Sequence, residues 1–152
     1  MTRTNGAVDL GLEERGMKAA GYDMFISLHS NASNTESVNR IVVLRDIFDR
    51  NQASIFAEQI GNAVMGTMRA GGLPISAVQT DYPGDKVIYE DGVRVNYYGV
   101  LRGAAKTDCP LYYIVEHSFH TNTAVANWLM LDSNLMALAI AEADAIDNYF
   151  NA

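Results

Sequence analysis

The sequence has little of what staples a fold, crosses a membrane or binds polyanions. One cysteine, Cys109, stands among 152 residues, which excludes an intramolecular disulfide and a multi-cysteine zinc site. No apolar run approaches the roughly 20 residues that span a bilayer, and Met1 to Gly6 form no apolar signal-peptide core. Cationic side chains are outnumbered: 11 Lys and Arg against 18 Asp and Glu leave a net charge of −7. That balance argues against sequence-independent nucleic-acid binding and against attraction to an anionic membrane. There is no Gly-x-Ser-x-Gly elbow, phosphate loop or dinucleotide glycine fingerprint. Repeats, low-complexity stretches and linkers are also missing.

What is present is apolar and patterned. Hydrophobic residues make up 49% of the chain and charged ones 19%, which excludes disorder. The length suits one domain over residues 1–152, burying roughly 68–70% of the surface of the unfolded chain. Residues 9–20 carry Leu10, Met17 and Ala20 among Glu13, Glu14, Arg15 and Lys18. This predicts a helix capped by Asp9 and stopped by Gly21. Met24–Leu28 is a short, nearly continuous apolar run, as expected of a strand buried on both faces, and a polar turn from His29 to Asn34 follows it. Arg40–Leu44 and Leu111–Val115 read as further strands. Ala53, Phe56, Ala57, Ile60, Val64 and Met68 define a helix over 51–70, ended by Gly71-Gly72. Between 73 and 109, where Pro74, Pro83, Gly84 and Gly92 punctuate the chain, short extended pieces are predicted near Val87–Tyr89 and Val95–Leu101. Helices are predicted near Thr123–Leu131 and Leu135–Phe150, the latter with Leu135, Leu138, Ala139, Ile146 and Phe150 on one stripe. Strands alternating with helices predict an α/β fold with a mostly parallel central sheet flanked by helices.

Ligands of open α/β sheets bind beyond the carboxyl ends of the strands. All three histidines fall there: His29 after Met24–Leu28, and His117 and His120, with Glu116, after Leu111–Val115. Neutral imidazole is a common zinc ligand, and catalytic zinc has three protein ligands and an open position. A partly desolvated carboxylate suits proton transfer. Plainer readings stand beside these: a hydrogen-bonded turn histidine at 29, an ion pair of Glu116 with an arginine such as Arg102, and a solvated loop at His117 and His120. Those two histidines would share a metal only if helical. Cys109, followed by Pro110, has no helix N-terminus to activate it as a nucleophile. Trp128 and the eight tyrosines offer sugar-stacking surfaces, with most expected in the core.

At these residues the sequence resembles the zinc-dependent N-acetylmuramoyl-L-alanine amidases of the type-3 family. Thr2-Arg3 with Leu10–Arg15 is similar to that family's Thr-Arg and Leu-x-x-Arg segment, and Tyr22–Ala32 to its Ser-x-His-x-Asn-Ala strand. Tyr98–Arg102 resembles the stretch before the last catalytic strand, and Val115–Asn122 the Val-Glu-x-x-Phe-x-x-Asn motif. The resemblance covers most of the chain, and the order of the motifs carries its specificity.

It implies a peptidoglycan hydrolase that cleaves the amide between N-acetylmuramic acid and the L-alanine of the stem peptide. His29 would be a ligand of Zn2+, and Glu116 the carboxylate that moves the proton of the attacking water to the leaving amine, while zinc activates the water and polarises the carbonyl. Peptidoglycan would be the partner, and the setting extracellular or at the cell wall, or cytoplasmic before lysis for a phage lysin. The family's other two zinc ligands belong to a Gly-His-Gly-Gly-like strand and a helical glutamate that would precede Met1. The resemblance therefore implies a catalytic domain truncated at its N-terminus. Two other classes remain open at this point: a non-catalytic wall-binding relative, and an unrelated α/β hydrolase.

Overall fold

The computed structural model describes residues 9–48, 52–80 and 87–152. The Thr2-Arg3 motif, Asn51 and the Pro83-Gly84 turn fall outside them. The elements run α1 (Leu12–Met17), β1 (Met24–Asn31), β2 (Ile41–Arg45), α2 (Gln52–Ala70), β3 (Val78–Gln79), β4 (Val87–Glu90), β5 (Val93–Asn96), α3 (Gly99–Ala104), β6 (Leu111–Phe119), α4 (Thr123–Leu129) and α5 (Asp132–Phe150). The central sheet has the order β1-β6-β2-β3. Its β1–β6 and β2–β3 pairs are parallel and its β2–β6 pair antiparallel, so the sheet is mixed and mostly parallel, with helices against it. β4 and β5 form a separate hairpin. Its Asp91-Gly92 turn takes positive φ at both residues, the geometry that suits a tight hairpin.

Strand alternation divides the core. On one face Leu111, Tyr113 and Val115 of β6 and Ile41 and Val43 of β2 pack with Phe56, Ile60 and Val64 of α2 and Leu138 and Ala145 of α5. On the other face Ile114, Val42 and Leu44 meet Val100 and Leu101 of α3. Helix α1 lies against α3 through glycines. A Cβ at Gly16 would run into the Val100 carbonyl oxygen, and one at Gly103 into that of Glu13. Glu13 then reaches Arg102 and Lys106.

Several expectations need correction. β1 is not buried on both faces but forms the edge of the sheet, and Leu28 is 56% exposed. Its hydropathy matches a buried strand, but among the described residues it has one neighbouring strand. Both β1 and β6 outrun their apolar cores, so His29, Glu116 and His117 lie inside strands rather than in loops. Asp9 does not cap α1. Gly11 occupies that position without a side-chain bond, and Asp9 pairs with Arg15. The chain leaves α1 at Met17 and turns at Gly21, φ 78°. The second half of the extended piece expected at 95–101 is helix α3. On α5 the buried face is Leu138, Glu142 and Ala145, while Leu135, Ala139 and Phe150 are exposed. The helix turns a charged residue inward, for a reason seen at the site. No single described helix is long and apolar enough to cross a membrane.

Candidate active site

His29 and Glu116 are register partners on the parallel strands β1 and β6. Paired residues of adjacent strands sit about 4.8 Å apart along the hydrogen-bonding direction and point to the same face. Here that face is the one shared with α3, because Glu116 also pairs with Val42 of the α3-side core. Immediately beyond the pair, the register slips between His29 and Asn31, since Asn31 aligns with Phe119. The extra residue on β6 is absorbed at Ser118, which adopts φ 61°, a conformation unusual for a non-glycine residue. Strict alternation would send Phe119 to the α2 face. The bulge returns it to the α3 side, where the Arg40 guanidinium lies 5.2 Å from its ring centroid. Bulges of this kind re-aim side chains next to functional sites.

The two side chains are tuned differently. Burial against the apolar face raises the pKa of Glu116 above the ordinary carboxylate value, with the positive influence of His117 and His120 opposing it. Its Oε2 is buried and has no hydrogen-bond partner among the described residues. Such a carboxylate is a competent proton acceptor and a poor structural ion pair. The ion pair with Arg102 does not form: the Arg102 guanidinium goes to Glu13 and Glu90. His29 is exposed on the edge strand. Desolvation, then the charge of Arg15, lowers its pKa, which keeps the imidazole neutral and able to coordinate. Its Nε2 lies 2.9 Å from Ser27 Oγ, two residues back on the same face.

The other histidines have different surroundings. His117 is buried, with Nδ1 2.8 Å from the His29 carbonyl oxygen and Nε2 2.8 Å from Glu142 Oε1. Burial opposes its charged form, but the bond to Glu142 and that carboxylate's charge carry its pKa above the ordinary value. His120 follows β6, its Nδ1 3.2 Å from Ser30 O and 3.1 Å from Ser30 Oγ. Neither residue is helical and His117 is not in a solvated loop. Cys109 is buried, near Leu111 O, and burial raises its thiol pKa. Trp128 belongs to the core. An apolar cavity of about 410 Å³ lies between β1 and α5, lined by Leu28, Leu129, Leu135 and Leu138, with His29, Ser30, His117 and Glu142 also in its wall. Glu116 does not line it.

Sequence reasoning missed two contributors. Ser27 was signalled by its i, i+2 relation to His29. Glu142 was signalled by periodicity, as a carboxylate on the stripe that holds Leu138 and Ala145. The donor set fits zinc only in part. His29 and Glu116 have the characters of a ligand and a base, but no three His, Cys, Asp or Glu side chains converge on one point among the described residues.

No protein-family model and no curated protein matches the sequence. Solved structures do. Cwp6 from Clostridium difficile matches 98% of the chain at 20% identity and TM-score 0.66, the chain spanning 21% of that protein's length. The catalytic domain of CwlV, an N-acetylmuramoyl-L-alanine amidase from Bacillus (Paenibacillus) polymyxa var. colistinus, matches 99% at 19% identity and TM-score 0.69, with 70% of its length covered. The N-acetylmuramoyl-L-alanine amidase AmiC2 of Nostoc punctiforme matches 95% at 19% identity and TM-score 0.67, with 68% covered. At these identities the similarity establishes the fold, and the chain has the mixed α/β fold seen in these amidases.

Proposed function

We propose that the chain is the catalytic part of a peptidoglycan hydrolase, an N-acetylmuramoyl-L-alanine amidase, and that His29 and Glu116 carry its chemistry. The observation behind this reading is the His29–Glu116 register pair, with a buried, unpartnered carboxylate oxygen, at the carboxyl ends of parallel strands in an amidase fold. Glu116 takes a proton from the attacking water, because its desolvated carboxylate gains by becoming neutral, and then delivers that proton to the leaving amine of L-alanine. His29, held neutral, is proposed as one ligand of a zinc ion. The proposed setting is the cell wall, or the cytoplasm before lysis if the protein is a phage lysin.

The test is product chemistry. Purified sacculi incubated with the protein at its natural length should release material with new alanine amino termini and no new reducing sugar ends. New reducing ends would instead indicate glycosidic cleavage, and no product with no bound metal would indicate a non-catalytic relative. Stoichiometric zinc lost in a His117→Ala, His120→Ala double variant would show a three-histidine site instead.

A further inference from the structure

We infer that His117 is a positioning residue for His29 and that Glu142 holds it in that role, an inference that rests on the reading of His29 as a ligand. A carbonyl oxygen only accepts, so the 2.8 Å contact between His117 Nδ1 and His29 O is an N–H donated to the main chain that carries the His29 ring. The bond is made where the β1–β6 register slips. The next two carbonyls of β1 are held from the same side: Ser30 O lies 3.2 Å from His120 Nδ1, and Asn31 O accepts the His120 backbone N–H at 2.9 Å. Three successive carbonyls at the end of the edge strand are thus bound to His117 of its neighbour and to His120 just beyond it.

Glu142 fixes the direction of the first of these bonds. It reaches from α5 to His117 Nε2 at 2.8 Å, so both ring nitrogens are engaged and the imidazole cannot flip without losing a bond. His117 and Glu142 are 8% and 6% exposed. An apolar pair of similar volume would pack such a site without the desolvation penalty of a carboxylate, but it could not donate to the His29 carbonyl. The arrangement ties α5 through one ring to the backbone of the residue that faces Glu116. The three histidines therefore have unequal roles: His29 presents its ring at the sheet edge, and His117 and His120 hold the strand that presents it.

The experiment is NMR on the full chain, with a thermal melt of each variant, comparing His117→Leu, Glu142→Leu and Glu142→Gln. Gln keeps an oxygen at the Oε1 position, so Glu142→Gln should preserve the wild-type backbone and ring signals of His29 and Ser30. His117→Leu and Glu142→Leu should each replace the single set of His29 ring signals by more than one, and shift His29 and Ser30. Met24–Ser27 should stay in place and the melt should remain cooperative. A general packing defect would spread across β1 and the core instead, and Gln would not rescue it. The inference is overturned if His29 signals are unchanged in the leucine variants, if Glu142→Gln disturbs them as much as Glu142→Leu, or if the shifts extend through the core. Should His117→Leu fail to fold, the Glu142 pair of variants decides. None of these readouts needs hydrolytic activity, so failure of the amidase reading in the sacculus assay is a separate result.

Discussion

β2 and β1 flank the same strand, β6, and are both written in apolar residues, but they live differently. Ile41, Val42, Val43 and Leu44 of β2 are at most 2% exposed, whereas Leu28 of β1 is 56% exposed. β2 has β6 on one side, β3 on the other, and helices over both faces. β1 has β6 alone. The difference shows that a hydrophobic run reports capacity for burial, while the order of strands decides how much of it is used. It also separates the two strands by what they bring to the proposed site. The well-covered strand carries no candidate site residue, and the edge strand presents His29 opposite Glu116.

The sharpest way to break this comparison is to make the same substitution on both strands. Leu44→Ala should destabilise the protein by about 2–5 kcal/mol, while Leu28→Ala should change stability by no more than about 0.5 kcal/mol, as measured by urea unfolding. Equal losses would mean that β1 is as buried as β2. A smaller effect is expected where β1 does gain cover. Phe25 packs against Ala104 of α3 and Ala19 just past α1, so Gly103→Ala, whose Cβ would strike the Glu13 carbonyl, should cost about 1–3 kcal/mol. A neutral result would show that α1 can move off without consequence for β1.

The smallest effect concerns Glu116, on the strand between the two. Its native pKa lies above the ordinary value of 4.5. Between 4.5 and the native pKa the folded state binds more protons than the unfolded chain, so stability falls as pH rises through that window. Glu116→Gln escapes this loss. The variant should melt with the wild type below pH 4.5 and be the more stable of the two at pH values above the native pKa, as read from Tm against pH. A constant difference at all pH values would remove the desolvation argument.

Much of the fold was legible because periodicity reports burial: three of the four strands of the central sheet and the helices from 52 and 132 fall on the apolar segments, and the helix from 52 buries the stripe its spacing predicts. The errors have physical sources. Edge position depends on chain topology, which hydropathy does not encode, so β1 was misplaced. Polarity at His29, Glu116 and His117 ends the predicted strands at Leu28 and Val115, although backbone pairing continues through them to the bulge. That bulge, which gives Ser118 its positive φ, left no local signal in a serine. His29 and Glu116 stood out as polar groups on apolar strands. The partnership of His117 with Glu142 joins residues 25 positions apart, and only the packing of α5 on the sheet brings them together.

The central claim is that His29 and Glu116 share one site with different duties, and metal content measured alongside amide hydrolysis in two variants of the natural-length protein tests it most directly. Glu116→Ala should keep its zinc and lose hydrolysis by about 100-fold or more, as expected for removal of a general base, whereas His29→Ala should lose both metal and activity. Zinc released by Glu116→Ala, or hydrolysis retained in either variant, would contradict the account.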